Sequence, residues 1–164
     1  MNLNPLRQWI CDQCGEVIQK PEDGYLEWIR NPEGLYEGFK IVHHKTASPL
    51  QYENDGCFHY TNAPDRHDLH LDAFIGNAGL PKLLSLVDNG CIADPFDETG
   101  IKVANMREYM ELFRRLQLPY YEEARLHFSS ALDDGEFDGH SEYASFTSDT
   151  LKRIIKLYSD KANS

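Results

Sequence analysis

The stretch Trp9-Ile10-Cys11-Asp12-Gln13-Cys14-Gly15 places two cysteines two residues apart, close to the N-terminus. A two-residue gap lets both sulfur atoms reach one tetrahedral metal ion. Gly15 lets the backbone turn back so that its N–H groups approach the thiolates, because glycine adopts left-handed conformations at little steric cost. We therefore predict a metal-binding knuckle at Cys11 and Cys14.

A structural zinc site needs a second pair of ligands, and the sequence that follows offers four candidates: His43, His44, Cys57 and His59. Side chains alternate along a strand, so His43 would share a face with the apolar residues of a strand predicted at 38–43, and we favour it over His44. Cys57 is favoured over His59 because a thiolate is the softer ligand. The predicted ligands are Cys11, Cys14, His43 and Cys57, with His44 and His59 as alternatives for the second pair.

Two other interpretations of the cysteine pair stay open, namely two buried thiols or a redox pair. A thioredoxin-like pair lies at a helix start within a βαβ arrangement, whereas turns and a hairpin are predicted after Cys14. Metal ligation is therefore favoured. Because a catalytic zinc keeps one position open for water, a site with four protein ligands indicates structural Zn²⁺.

The knuckle resembles the first half of zinc-ribbon and treble-clef sites, and residues 9–15 carry this resemblance. The chain as a whole also resembles small bacterial proteins that contain this kind of cysteine knuckle. The resemblance implies a bound metal, and it implies no reaction, substrate or partner.

Charge and composition indicate the kind of partner. The 164 residues include 27 acidic and 16 Lys or Arg residues, for a net charge of -11. Nucleic-acid binders neutralise phosphates with clustered Lys and Arg, so we expect no nucleic-acid partner and favour a protein partner. The sequence has no apolar run long enough to span a bilayer, and four cysteines including a C-x-x-C pair suit a reducing compartment. We expect a cytoplasmic protein that does not bind membranes.

Residues 1–66 are predicted to form a small β module. Strands are indicated at 25–29 and 38–43, which makes a hairpin with an eight-residue connection, and a third short strand is indicated at 57–60. Turn-forming residues flank the first of these strands, at 21–24 and 31–34.

Residues 67–164 are predicted to be mainly helical. Apolar residues at three- and four-residue spacing mark the faces expected to be buried: Leu80, Leu83, Leu84 and Val87; Met106, Tyr109, Met110, Phe113 and Leu116; Tyr121, Ala124, Phe128 and Ala131; and Leu151, Ile154, Ile155 and Tyr158. Pro81 suits a first helical turn, Asn89-Gly90 a helix end, and Thr147 or Ser148 an N-cap. The predicted fold class is α+β, with a zinc-stapled β-hairpin module packed on a helical part as one continuous unit.

Some polar residues allow a second interpretation. A cluster of imidazoles and carboxylates could bind a catalytic metal for hydrolysis: His59, Asp65, His67, Asp68, His70 and Asp72. His67 and His70 would align on one face if this stretch were helical. A solvated loop followed by a helix cap is the plainer interpretation.

Glu122, Glu123 and Arg115 are expected on solvated helix surfaces, and Cys91 as a small buried residue. The favoured function is a non-enzymatic interaction or adaptor protein with structural zinc, and a metal-dependent hydrolase is the alternative.

Overall fold

Short antiparallel strands occupy the N-terminal part of the computed structural model and helices the C-terminal part, so the α+β prediction is confirmed. The structure describes residues 2–50, 55–88 and 101–161. The helix end predicted at Asn89-Gly90 and the burial predicted for Cys91 lie outside the described residues.

Two antiparallel sheets form in the described ranges. The strands β1 (Trp9–Ile10) and β2 (Val17–Ile18) pair on either side of the knuckle. The second sheet has the order β4-β3-β5, and its strands are β3 (Gly24–Arg30), β4 (Tyr36–His43) and β5 (Arg66–His70).

The predicted hairpin of β3 and β4 is confirmed, but its connection, residues 31–35, is shorter than the eight residues predicted. The side-chain oxygen of Asn31 accepts hydrogen bonds from the backbone N–H groups of Glu33 and Leu35, which closes the turn early. Gly34 adopts a φ of 82° in this turn, a conformation that favours glycine.

The prediction of a strand at 57–60 is wrong, because this segment is a turn followed by irregular chain. The third strand is β5, which pairs with β3 so that Tyr25 lies opposite His70 and Ile29 opposite Arg66. A polar segment is tolerated there because β5 lies at the edge of the sheet. The sheet thus continues past the boundary predicted at residue 66, and the division into two modules stays a prediction.

Five helices follow in the described ranges: α1 (Gly76–Val87), α2 (Met106–Gln117), α3 (Tyr121–Ala124), α4 (Phe128–Asp133) and α5 (Ser148–Lys161). The prediction for α1 is partly wrong, because the helix begins at Gly76 and Pro81 lies beyond its first turn. Leu83 is fully buried, whereas Leu84 is 53% exposed. Gly79 sets this orientation, since a Cβ there would collide with the backbone of Phe74.

The apolar residues form two cores. The first combines residues of the strands, of the helical turn before α1, and of α1 and α2, among them Trp9, Ile41, Phe74, Leu83 and Tyr109. The second lies among α3, α4 and α5 and includes Tyr121, Ala131, Leu151 and Ile154. The hairpin module therefore packs directly on the first two long helices.

Candidate metal centre

The knuckle is a tight turn between β1 and β2. The N–H of Cys11 donates to the carbonyl of Glu16 at 2.9 Å, and the N–H of Gly15 donates to the carbonyl of Cys11 at 3.0 Å. Gly15 has a φ of 76°, as the sequence predicts for this position. Backbone N–H groups also donate to the sulfur atoms of Cys11 and Cys14. The turn therefore presents two sulfur atoms supported by amide hydrogen bonds.

Asp12 joins the knuckle to β4. Its N–H donates to the carbonyl of Ile41, and its carboxylate accepts from the N–H of Ile41, both at 2.8 Å. His43 lies two residues further along β4, on the same face as Ile41, and is almost fully buried. This pairing brings the imidazole to the two knuckle sulfurs.

Cys57 reaches the site from the turn that precedes the irregular segment 58–60. The N–H of His59 donates to the buried carboxylate of Glu27 at 2.7 Å, and the hydroxyl of Tyr60 donates to the carbonyl of Gly38 at 2.7 Å. These bonds fix the segment on the sheet. The buried hydroxyl of Ser48 lies 2.9 Å from the Cys57 sulfur, so a polar partner also supports this thiol.

Four donor atoms converge in one pocket. The sulfur atoms of Cys11, Cys14 and Cys57 and a ring nitrogen of His43 all lie within 4.8 Å of one another. Nδ1 of His43 is 3.5 Å from the Cys14 sulfur and 3.8 Å from the Cys57 sulfur. A tetrahedral zinc with bonds of about 2.3 Å to sulfur and about 2.0 Å to nitrogen needs separations of about 3.6 Å, so the donors fit a metal ion with little adjustment.

The other nitrogen of His43 also has a partner. Nε2 lies 3.3 Å from the carbonyl oxygen of Val17 in β2. A carbonyl at this position selects the tautomer with the proton on Nε2, which leaves Nδ1 free to face the thiols. No pattern in the sequence points to the Val17 carbonyl or to Ser48 as partners of the site.

The alternative ligands lie elsewhere. Nδ1 of His44 accepts from the N–H of Thr46, and its ring contacts Tyr25 and His70. Nδ1 of His59 lies 3.0 Å from a side-chain oxygen of Gln13, in an exposed position. Of the four candidates for the second pair of ligands, the structure brings His43 and Cys57 to the knuckle.

The second cluster of imidazoles and carboxylates is not assembled. His67 and His70 point to opposite faces of β5 because they are three positions apart on a strand, where successive side chains alternate. The His67 ring stacks on Trp28, and the carboxylate of Asp68 pairs with Arg66. Among the residues that the structure describes, only the Cys₃His group brings three or more ligand-type side chains close enough to hold an ion.

The thiols of the site do not ionise equally. Burial alone would raise the pKa of the Cys11 thiol, but a hydrogen bond from the His43 ring, when that ring is protonated on both nitrogens, and hydrogen bonds from backbone N–H groups lower that pKa to about 6. Burial and the neighbouring Cys11 thiolate raise the pKa of Cys14 to about 12, and burial also raises the pKa of Cys57. Three thiolates here need a cation, since their mutual repulsion is otherwise uncompensated.

A buried ion network lies behind the knuckle. Nε and Nη2 of Arg115 in α2 donate to the carboxylate of Glu122 at 2.8 and 2.9 Å, and Nη1 donates to Asp12 at 2.8 Å. Arg125 donates to the same Glu122 carboxylate from the other side. Asp12 thus connects the knuckle to both β4 and α2.

The expectation that Arg115, Glu122 and Glu123 lie on solvated surfaces is wrong. Arg115 and Glu122 are each 6% exposed, and Glu123 is buried and accepts a hydrogen bond from the N–H of Leu3. Burial alone would raise the pKa of Glu122, but the guanidinium groups of Arg115 and Arg125 lower that pKa to about 2. Spacing along the chain carries no sign of this pairing, because Asp12 approaches only through the tertiary fold.

Comparison of the chain with protein-family models, with curated proteins and with solved structures gave no match. Within the described ranges, no helix combines the length and apolar character needed to cross a membrane.

Proposed function

We propose that this chain is a zinc-binding protein in which the zinc is structural, and that the folded protein is a non-enzymatic interaction or adaptor protein. The observation that carries the proposal is the convergence of three thiols and one imidazole nitrogen within 4.8 Å in a largely buried pocket. Three sulfurs and one nitrogen match the Cys₃His set of structural zinc sites, and soft thiolate ligands disfavour magnesium and calcium.

A structural role follows from the number and placement of the donors. Cys11 and Cys14 would hold the ion from the knuckle, His43 from the end of β4 and Cys57 from its turn. Four protein donors complete a tetrahedral sphere, which leaves no position for a reacting water. The bound ion would cross-link three segments that are distant in sequence, and β1 and β2, with two residues each, could not hold the knuckle by their own ladder.

The interaction role is supported by charge. A net charge of -11 favours partners with basic surfaces and repels phosphate backbones and anionic lipids. We propose a protein as the partner and assign neither nucleic acid nor membrane as the target. The cytoplasmic location is proposed from the C-x-x-C pair, which suits a reducing compartment.

Elemental analysis after dialysis against a mild chelator tests the metal assignment. We expect one tightly held zinc per chain, lost together with folding in the double variant Cys11→Ser, Cys14→Ser. His43→Asn should also lose zinc, whereas the matched variant His44→Asn should retain it, because the His44 ring lies outside the pocket. A metal-free protein that remains fully folded, or zinc loss from the His44 variant alone, would contradict the proposal.

A further inference from the structure

The second core opens to solvent through a cavity beside α4. Its volume is about 320 Å³, and its lining residues are Phe128, Leu132, Phe137, Glu142, Ser145 and Phe146. This volume lies in the range of binding pockets, about 300–1,000 Å³. The lining residues belong to neither the metal centre nor the ion network, so the cavity needs its own explanation.

The walls of the cavity are fixed by aromatic packing. The ring centre of Phe128 lies 5.7 Å from that of Phe137 and 5.4 Å from that of the buried Tyr121, both in edge-to-face contacts. Arg114 covers the Phe146 ring at 4.6 Å from its centre. Leu132 is 64% exposed and extends the apolar surface outward. The result is a preformed apolar site that a bulky side chain could enter without rearranging the core.

The chain around this cavity is acidic. Residues 133–149 contain no Lys or Arg and six carboxylates: Asp133, Asp134, Glu136, Asp138, Glu142 and Asp149. Glu136 pairs with Arg153 of α5, and Asp134 accepts a hydrogen bond from Tyr158. Glu142, which lines the cavity, forms no ion pair with any described residue, and neither do Asp133, Asp138 and Asp149. The cavity therefore lies within an acidic chain segment, and the Arg114 guanidinium over Phe146 is a cation at its wall.

We propose that this cavity is a docking site for a basic peptide segment that inserts one bulky apolar side chain between Phe128, Phe137 and Phe146. Lys or Arg residues on either side of the anchor would meet Glu142 and the neighbouring carboxylates. This inference rests on the protein-interaction role proposed above and names the chemistry of the partner. Such sites take affinity from the buried anchor and specificity from the charges around it.

Charge distinguishes this occupant from other apolar ligands. A fatty acid would bring a carboxylate into a segment that already carries six, at a cost in repulsion. A second copy of this chain could offer Leu157, which is 40% exposed, with neighbouring lysines on α5. Self-association through that helix is therefore a measurable competitor to the proposed partner.

Binding of short fluorescent peptides to the full chain, followed by anisotropy, tests the proposal. The probe is a lysine-rich peptide with one central phenylalanine, and the matched controls replace that phenylalanine by alanine or the lysines by glutamates. We expect the alanine peptide to bind about tenfold more weakly and the glutamate peptide not to bind measurably. Raising the salt concentration from about 0.1 M to about 1 M should weaken binding of the probe peptide, because the Debye length falls to about 3 Å and charge attraction is screened.

Two surface variants locate the site. Leu132→Lys removes an apolar wall of the cavity and adds a cation, so it should weaken binding of the probe peptide at least about tenfold. The protein should stay folded because Leu132 is exposed. Leu84→Lys, at a leucine of α1 that is also more than half exposed but lies outside the cavity, should leave the affinity for the probe peptide unchanged. Equal losses in both variants, or equal binding of the phenylalanine and alanine peptides, would overturn the docking site.

Two further measurements separate the remaining outcomes. Sedimentation measures whether the protein alone forms dimers. Dimers that disappear in Leu132→Lys would assign the cavity to a second copy of the chain and overturn the proposal of a peptide partner. If no peptide binds to a folded protein that retains one zinc per chain, the docking site is overturned and the metal assignment stays intact. A folded, zinc-free protein that binds the probe would overturn the metal assignment alone.

Discussion

The knuckle and the helical end of the chain are held together in different ways. The knuckle lies between two-residue strands and depends on side chains from distant segments, His43, Cys57 and Arg115. The helical end, α3 to α5, has a continuous apolar core of its own. A chelator would remove the bonds from the proposed ligands to a metal, and acid would remove the ion pairs, whereas truncating a buried side chain removes apolar contacts. Perturbations of these two kinds should therefore affect different ends of the molecule.

Removal of the metal should produce the largest contrast between the two regions. With a chelator in excess, we expect backbone amides of β1, β2 and the end of β4 to exchange about a thousandfold faster or more, because a ligand at 1,000 times its Kd contributes about 4 kcal/mol. Amides of α5 should keep most of their protection. Hydrogen exchange with mass spectrometry measures both, and equal loss of protection in α5 would show that the two regions form one cooperative unit.

Arg115→Leu tests the link between the regions. We expect it to lower the free energy of unfolding by about 3–5 kcal/mol, because it leaves the buried carboxylate of Glu122 without its main partner. Arg107→Leu is the matched control on the exposed face of the same helix and should cost less than about 1 kcal/mol. Denaturant unfolding measures both, and similar losses would contradict the role of the network.

Leu151→Ala should destabilise only the helical end of the chain. Leu151 is fully buried in the second core, so we expect a loss of about 3 kcal/mol in the free energy of unfolding with one zinc per chain retained. Leu157→Ala, at a partly exposed leucine of α5, serves as the control and should cost less than about 1 kcal/mol. Zinc loss in a folded Leu151→Ala protein would break the proposed independence of the regions.

Acid should weaken the link between the regions in a defined pH window. The pKa of Glu122 is about 2 in the folded protein, below its ordinary value of 4.5, so the carboxylate contributes stability that is fully present above about pH 5 and lost as the pH falls toward 2. The contribution is about 3 kcal/mol. Denaturant midpoints of wild type and Glu122→Gln should converge over this window, and a constant difference down to pH 2 would contradict the assignment.

Ser48→Ala should have the smallest effect and act on the metal alone. The hydroxyl of Ser48 lies 2.9 Å from the Cys57 sulfur and would support the thiolate that binds the proposed metal, and loss of such a partner typically weakens metal affinity by about 10-fold or more. Competition with a zinc indicator measures the change. Ser145→Ala, in the helical end, is the matched control, and an equal effect on zinc affinity would exclude a specific role for Ser48.

Several features followed from local pattern. The C-x-x-C pair with Gly15 predicts a knuckle because short-range geometry fixes it, and α5 follows its apolar stripe, with Leu151, Ile154 and Tyr158 buried as expected. The strand containing His43 was predicted for the same reason. Alternation along that strand selected His43 over His44, and ligand softness selected Cys57 even though the strand expected around it does not form.

Other features depended on contacts between distant residues. β5 is polar and forms because β3 offers an unpaired edge, a partner that the local sequence does not reveal. Of the two adjacent leucines predicted to be buried, Leu83 faces the core and Leu84 does not, because Gly79 must approach the Phe74 backbone. Neither the edge nor the close approach exists until other elements are in place.

The amino-acid sequence alone therefore predicts the knuckle, the fold class and the candidate ligand types, since these depend on spacing and chemistry within a few residues. Tertiary contacts were needed to show that His43 and Cys57 meet the knuckle, that Arg115 and Glu122 are buried, and that an apolar cavity opens within the acidic segment 133–149. Desolvation and pairing of charged or ligating groups depend on what approaches them through space. Residues more than a hundred positions apart, such as Asp12 and Arg115, acquire their roles only once the fold joins them.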